Sequence, residues 1–239
     1  MKKYFNLYNC INLVFIIATL AMGGVYCFAQ RELLFKTIAS ASFVLIGLIS
    51  LFAAIKNKLG NIKFAMIMTI GLFFAMLGDI LLELNFMIGA IFFAIGHVFY
   101  FVAYCTLVKF KWTDLIAGGV IALVAILVIC LLPIFDFGGI VMQIMIIFYA
   151  IIISLMLGKA LSNLIRERSV INIIILVGSF LFFFSDLMLL LGNFASFAAD
   201  IDRILGYLCL CTYYPAEVLL ALSLNFLPKT EMKAEEKAE

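Results

Sequence analysis

The chain has 239 residues, of which 67% are hydrophobic and 13% are charged, and its mean hydropathy is +1.26. Soluble domains carry roughly 25% charged residues, so the composition predicts an integral membrane protein and excludes an ordinary soluble domain. The net charge of +2 comes with no basic stripe interleaved with aromatic residues, which argues against a nucleic-acid partner.

Eight apolar runs are each long enough to cross a bilayer, which takes about 20 mostly apolar residues. In chain order they cover residues 7–28, 33–55, 62–82, 86–108, 115–134, 140–161, 170–191 and 204–226. Because the connections are short, we predict one polytopic membrane domain over residues 1–228 and a charged, solvated tail over residues 229–239. The first run follows Lys2 and Lys3, but it is long for a signal-peptide core and no small-x-small pattern ends it, so we interpret it as a retained helix.

Lysine and arginine residues concentrate on one side of this predicted topology. If the N-terminus is cytoplasmic, thirteen of the 16 Lys and Arg residues lie on the cytoplasmic side, and only Arg31, Lys36 and Arg203 lie on the other. Cytoplasmic loops of membrane proteins carry such an excess. The predicted fold is therefore an all-α bundle of eight transmembrane helices with both termini in the cytoplasm.

Two acidic residues interrupt the apolar runs at similar places. Asp79 lies late in the third run and Asp186 lies late in the seventh, and each is followed after 21 residues by a tyrosine, Tyr100 or Tyr207. Helices four apart run in the same direction, so a four-plus-four parallel internal repeat would place both acids at the same depth. A carboxylate in the hydrocarbon region is costly, and two of them placed alike indicate a polar site.

The residues around this predicted site lie in the non-cytoplasmic half of the bundle. The fourth and eighth runs turn back from the acids, and they carry His97, Tyr100, Tyr207, Tyr214 and Glu217. A carboxyl group in such a cavity is hard to ionise, and a second carboxylate nearby makes ionisation of both harder still. One acid can then carry a proton while the other is charged, which is what general acid and general base catalysis requires.

Each of these residues also has a purely structural interpretation. Asp79 or Asp186 would then bond a neighbouring helix or lie in the wet interface, His97 would be a satisfied buried residue, and the tyrosines would belong to an interfacial aromatic belt. Glu83, one turn after Asp79, fits an interfacial charge better than a catalyst. The six cysteines include no Cys-x-x-Cys pair and fit small buried hydrophobes better than metal ligands.

Four stretches carry a resemblance to a known family. They are residues 77–82 around Asp79, residues 92–100 around His97, Tyr149 with Met156 leading into residues 184–186, and residues 213–217. In the order and spacing of these stretches, the sequence resembles the YhhN-like lysoplasmalogenase family of polytopic membrane proteins. Two positions depart from the family pattern, because Thr37 stands where a proline is expected after Lys36 and Glu217 stands where a glutamine is expected.

The resemblance implies a hydrolase that takes a lysoplasmalogen, a single-chain ether phospholipid, from among the membrane lipids. It would cleave the vinyl ether to a fatty aldehyde and a glycerophospho-ethanolamine or -choline, with no metal and no organic cofactor. In this hypothesis Asp79 and Asp186 are the acid and the base, in either order. The residues expected to bind the substrate are His97, Tyr100, Tyr207, Tyr214, Glu217 and Lys36, with Lys36 or Arg203 at the phosphate.

Two other functions fit the same residues. A proton-coupled carrier also uses intramembrane acids and an internal repeat, but it predicts Gly- or Pro-broken helices at matching positions of both halves. Pro133 and Pro215 are not related by the repeat, which counts against a carrier. A non-catalytic scaffold or lipid sensor predicts that exchanging both Asp residues for Asn changes little.

Overall fold

The structure is a computed structural model, and it describes residues 7–228. The charges at Lys2 and Lys3 and the tail predicted over residues 229–239 lie outside the described residues. Within them the chain forms eight α-helices and no β-strand. The helices are α1 (Leu7–Phe28), α2 (Leu33–Lys56), α3 (Ile62–Leu84), α4 (Phe86–Leu107), α5 (Asp114–Leu131), α6 (Ile140–Arg166), α7 (Val170–Phe194) and α8 (Ala199–Leu222), and a short 3-10 turn, Ser223–Phe226, follows α8.

All eight helices are long and apolar enough to cross a membrane, with mean hydropathies between 1.5 and 2.7. Large apolar side chains such as Val14, Phe52, Ile116 and Phe180 are exposed on the outside of the bundle, where lipid would cover them. The predicted fold class is therefore confirmed, and the chain is a multi-pass integral membrane protein. The cytoplasmic location of the termini stays a prediction from the Lys and Arg distribution.

The ends of several helices differ from the apolar runs. α5 ends at Leu131 rather than at residue 134, because Leu132 is extended (ψ 122°) ahead of Pro133 and the residue before a proline disfavours the helical conformation. α8 begins at Ala199 rather than at residue 204, and α6 continues to Arg166 rather than ending at residue 161. Hydropathy marks only the apolar part of a helix, and backbone hydrogen bonding continues beyond it into polar interfacial residues.

Six helices form a closed ring around the site. Around the ring each helix packs on the next in the order α2, α3, α4, α6, α7 and α8. The ring is closed because α8 packs on α2. α1 lies outside the ring against α2 and α8, and α5 lies outside it mainly against α6. The two halves of the chain thus contribute three ring helices and one outer helix each.

Helix contacts follow the same order in both halves of the chain. α1 packs on α2 as α5 packs on α6, α3 pairs with α4 as α7 pairs with α8, and α4 meets α6 as α8 meets α2. This is the arrangement expected of parallel repeats related by an axis along the membrane normal. The contact order does not test whether the halves arose by duplication, so the internal repeat stays a prediction.

α5 is fixed to α6 by close packing and by a buried ion pair. A Cβ placed on Gly158 would lie 2.2 Å from the backbone nitrogen of Gly118, so the two helices touch through their backbones, as small residues allow in membrane helices. At the start of α5, Asp114 accepts a 2.6 Å bond from the Lys159 ammonium, and neither side chain is exposed. The Asp114–Lys159 ion pair lies at the end of the bundle opposite Asp79 and Asp186.

Candidate active site

A cavity of about 790 Å³ opens between α1, α2, α3, α4, α7 and α8. Its size falls within the range of pockets that bind small molecules, about 300–1,000 Å³. Asp79 and Asp186 both line it, so the fold brings the two intramembrane acids to one cavity. Arg31, Lys36 and Arg203 also line it, which places the cavity at the end of the bundle that the sequence predicts to be non-cytoplasmic.

Asp79 is buried on α3 and is surrounded by donors. Oδ2 accepts a hydrogen bond from the Ser40 hydroxyl of α2 and a 2.7 Å bond from the Tyr213 hydroxyl of α8. Oδ1 lies 3.9 Å from the Lys36 ammonium, which is itself buried. Two hydroxyl donors and a cation stabilise the ionised form of this carboxyl group.

Asp186 on α7 has a different environment. Its Oδ2 accepts a 2.5 Å bond from the Tyr149 hydroxyl of α6 and lies 3.3 Å from Nε2 of His97 on α4. The side chain is 13% exposed, and neither Lys nor Arg among the described residues forms an ion pair with it. Both contacts fall on Oδ2, which leaves Oδ1 as the oxygen available to a bound molecule.

The two acids are held by corresponding helices of the two halves. Asp79 is bonded by Ser40 from the preceding ring helix, α2, and by Tyr213 from α8 across the ring. Asp186 is bonded by Tyr149 from its preceding ring helix, α6, and contacts His97 of α4 across the ring. The helices that hold the two acids are therefore arranged quasi-symmetrically. The side chains around the acids differ, because only Asp79 has a lysine beside it.

His97 reaches Asp186 from behind the cavity wall. It is 1% exposed, and Nε2 also lies 2.9 Å from the Tyr149 oxygen. Because the Tyr149 hydroxyl donates to the carboxyl, His97 presents Nε2–H to both oxygens. Its ring packs edge-on against Phe182, 4.6 Å between centroids, and Nδ1 is buried without a partner. His97 therefore contacts Tyr149 and Asp186 and does not line the cavity.

Three aromatic rings lie beneath the acids. Phe93, Phe182 and Tyr213 contact one another edge-on, with centroid distances between 5.3 and 6.1 Å. Edge-on packing of this kind is a favourable arrangement for aromatic rings. The three rings therefore join α4, α7 and α8 next to the cavity, which Phe93 and Tyr213 also line.

Besides His97, three more residues predicted to bind substrate do not line the cavity. Tyr100 and Glu217 are fully buried and bond each other, with the Tyr100 hydroxyl 2.8 Å from Oε2 of Glu217. Tyr214 is 2% exposed and packs so closely on Gly23 of α1 that a Cβ there would lie 2.4 Å from its ring. Together with His97, these residues support the site from behind, and the cavity wall gives no support to a direct contact with substrate.

Lys36 and Tyr207 do line the cavity, as a substrate-binding role requires. Besides Asp79, Lys36 donates a 2.8 Å bond to Glu83, which also accepts a 2.5 Å bond from the Tyr26 hydroxyl of α1. Glu83 is thus part of a bridge between α1, α2 and α3, in line with the structural role expected for it. Tyr207 packs against Phe28, 5.1 Å between ring centroids.

Sequence reasoning missed the partners that distinguish the two acids. The family resemblance includes Tyr149 without giving it a partner, and Ser40 is not among the residues predicted for the site. One signal was present for Ser40, since it follows Lys36 by one helical turn and so shares its face. Tyr149 had no such signal, because its contact depends on how α6 is rotated against α7.

The described residues include no group of three or more His, Cys, Asp or Glu side chains that could hold a metal ion. Asp186 and His97 are close together, but Tyr149 completes their cluster, and a neutral tyrosine is a poor metal ligand. The cavity's own side chains, with two carboxyl groups and several hydroxyl and cationic groups, can transfer protons and stabilise charge.

Comparison with known proteins identifies the family. Neither a curated protein nor a solved structure matches the chain. The sequence profile of the YhhN family matches residues 32–224, which include Lys36, Asp79, His97, Asp186 and Glu217. This match extends from the start of α2 into the last turn after α8, and the chain therefore belongs to the YhhN family.

Proposed function

We propose that the protein is a lysoplasmalogenase-type membrane hydrolase, which cleaves the vinyl ether of a lysoplasmalogen to a fatty aldehyde and a glycerophospho-ethanolamine or -choline. The observation that carries the proposal is the contrast between two carboxyl groups on one cavity. Asp79 has a lysine and two hydroxyl donors, whereas Asp186 has Tyr149 and His97 and no lysine. Membership of the YhhN family supports a membrane hydrolase of this type.

Vinyl ether hydrolysis needs both kinds of carboxyl group. A proton is added to the alkenyl carbon that is further from the ether oxygen, and the carbon bonded to oxygen becomes an oxocarbenium-like cation. Water adds to that cation to give a hemiacetal, which breaks down to the aldehyde and the free glycerol hydroxyl. The reaction thus requires a proton donor, a negative charge beside the cation and a base for water, as glycoside hydrolysis does with its two carboxyl groups.

Asp186 is the proton donor in this proposal. Since Tyr149 and His97 engage Oδ2, Oδ1 is the oxygen from which a protonated Asp186 delivers its proton to the cavity. Once the proton has moved to the alkenyl carbon, the same two donors stabilise the carboxylate that remains. When the hemiacetal breaks down, Asp186 takes the proton of its hydroxyl group and returns to its starting state.

Asp79 is the resident carboxylate. Lys36, Ser40 and Tyr213 stabilise its ionised form, and its charge stabilises the cation that forms in the cavity. It accepts a proton from the attacking water and then passes that proton to the departing glycerol oxygen. Over one cycle both carboxyl groups are restored, and the net reaction consumes one water molecule per ether bond.

The cavity rim fits a zwitterionic headgroup. Arg31 and Arg203 line the cavity beside Lys36, and guanidinium groups are well suited to bind phosphate in a bidentate manner. Asp202 lines the same cavity, and its carboxyl group suits the ammonium of ethanolamine or choline. The proposed substrate is therefore a single-chain ether phospholipid drawn from the surrounding membrane.

A carrier fits these features less well. Phe93, Phe182 and Tyr213 pack edge-on against one another across α4, α7 and α8, whereas a carrier needs a path between helices from the acids to the other side of the bundle. Pro215 in α8 is the only proline inside a helix of the described chain, so the two halves do not share a broken helix of the kind that carriers use.

The test is aldehyde release by the purified protein in detergent. The alkenyl lysophosphoethanolamine is compared with the saturated alkyl ether and the acyl ester of the same chain and headgroup. We expect aldehyde and glycerophosphoethanolamine in equal amounts from the alkenyl lipid and no product from the alkyl ether, because a saturated ether has no double bond to protonate. Absence of aldehyde with a folded, monodisperse protein, for both ethanolamine and choline headgroups, would overturn the proposal in favour of a carrier.

A further inference from the structure

A second cavity lies beside the polar one and has an almost wholly apolar wall. It has a volume of about 450 Å³ and lies between α4, α5, α6 and α7. Val124 and Val128 of α5 and Ala150 of α6 are among its lining residues, and Tyr149 and Asp186 contribute its only side-chain oxygens. A cavity of this character suits a hydrocarbon ligand.

The two cavities meet at a shared wall. Five residues line both of them, namely Leu82, Phe86, Phe93, Asp186 and Leu189. Asp186 is the only one of the five with a charged or polar side chain, whereas Asp79 lines the polar cavity alone. A molecule that extends across this wall from one cavity to the other therefore lies near Asp186, where its surroundings change from polar to apolar.

We propose that the apolar cavity binds the hydrocarbon chain of the substrate, and that the residues of α5 and α6 that line it determine the accepted chain length. This inference rests on the proposed function. The headgroup then occupies the polar cavity, the chain occupies the apolar one, and the ether joins them beside Asp186. In that pose the first chain carbons lie on the Asp186 side, where the proton must be delivered to the alkenyl carbon.

The outer position of α5 gives the chain a way in from the bilayer. α5 packs mainly against α6, and its Val120 and Val124 are 57% and 56% exposed although both line the cavity. The cavity is thus open to lipid along α5, while the Asp114–Lys159 ion pair fixes this helix at its far end. A chain can enter sideways without leaving a hydrocarbon environment.

Shape rather than hydrophobicity must decide which chain fits. A chain that moves from the bilayer into an apolar cavity gains little from water exclusion, because lipid tails are already apolar. Its binding depends on packing against the cavity wall. A bulky side chain added to that wall therefore shortens the chain that fits, without affecting the headgroup contacts or the acids.

The test enlarges two small wall residues on different helices. In Ala125→Phe and Ala150→Phe a ring replaces a methyl group at the wall of the cavity. Leu123→Phe is the matched control, since Leu123 is 57% exposed on α5 and does not line the cavity. For each variant, kcat/KM is measured with alkenyl lysophosphoethanolamines that carry an eight-carbon or an eighteen-carbon chain.

We expect kcat/KM for the eighteen-carbon chain to fall on the order of tenfold or more in both wall variants, the scale of a steric misfit in an apolar pocket. The value for the eight-carbon chain should change little, and the control should behave as wild type with both. Equal losses for both chain lengths, or no loss for either, in folded variants would overturn the chain site.

A second measurement does not depend on turnover. A saturated alkyl lysophosphoethanolamine with a diazirine at the chain end is irradiated with the wild-type protein, with and without an excess of unlabelled lipid. We expect competed crosslinks within residues 120–129 of α5 and 145–153 of α6, where the apolar cavity is lined. Labelling spread over lipid-facing helices and insensitive to competitor would contradict the chain site. Competed labelling there without aldehyde release would retain the chain site and reject vinyl ether hydrolysis.

Discussion

Asp186→Asn should abolish aldehyde release while the protein remains folded. The amide has the size and shape of the carboxyl group, and its oxygen still accepts the Tyr149 hydrogen bond, so the packing of α6 on α7 is kept. It has no acidic proton to give to the alkenyl carbon. Loss of a general acid costs on the order of 10²–10⁴ in rate, and the fall should appear in kcat.

The Asp186 variant separates chemistry from binding. Because Arg31 and Arg203 lie elsewhere on the cavity wall, KM should stay close to the wild-type value. Asp136→Asn is the matched control, since Asp136 lies between α5 and α6 outside both cavities and bonds only the backbone N–H of Gly138 through its side chain. Turnover near the wild-type rate in Asp186→Asn, measured as aldehyde per mole of monodisperse protein, would remove Asp186 as the proton donor.

Asp79→Asn should also lower turnover strongly, but for a different reason. The amide oxygen still accepts from Ser40 and Tyr213, so only the negative charge is lost. The cation formed from the substrate then faces Lys36 without a carboxylate beside it. Loss of one preorganised stabilising group costs on the order of 10²–10³ in kcat. Folding should survive, because Lys36 keeps its 2.8 Å bond to Glu83.

A double variant tests whether Asp79 acts on the substrate or only neutralises Lys36. The double variant Asp79→Asn with Lys36→Met replaces both charged side chains with neutral ones. Its kcat is compared with the kcat of each single variant. If Asp79 stabilises the cation and accepts the water proton, the double variant stays as inactive as Asp79→Asn. Recovery to wild-type kcat in the double variant would show that neutralising Lys36 is the whole role of Asp79.

Much of the fold follows from the length of the apolar runs. In a bilayer each backbone polar group must be satisfied within its own helix, so a run of about 20 apolar residues has few alternatives to a spanning helix. The ends of the helices are less predictable, because they depend on individual residues such as prolines and on polar residues beside the apolar run. α5 stops before Pro133, and α8 starts at Ala199 within a polar stretch that hydropathy does not mark as helical.

The candidate site was predictable in its acids and less so in its contacts. Asp79 and Asp186 stood out because a carboxyl group among apolar residues is costly and needs a reason. The sequence does not show which face of each helix is buried, because lipid-facing and buried positions are both apolar in a membrane protein. Nothing in the sequence therefore indicates that Tyr100, Tyr214 and Glu217 do not line the cavity, or that Tyr149 bonds Asp186.

The most direct test of the proposed vinyl ether hydrolysis is to determine where isotopes from the solvent appear in the products. The wild-type protein hydrolyses an alkenyl lysophosphoethanolamine in D₂O, and in a parallel reaction in H₂¹⁸O, and the aldehyde is reduced at once to the alcohol. Unlabelled aldehyde of another chain length, added to the same reaction, measures exchange that does not depend on the enzyme. Protonation of the alkenyl carbon predicts one deuterium on the carbon next to the aldehyde carbon, above that background, and glycerophosphoethanolamine free of ¹⁸O. An aldehyde without this deuterium, or ¹⁸O in the glycerol product, would contradict proton transfer to the vinyl ether as the step that Asp186 performs.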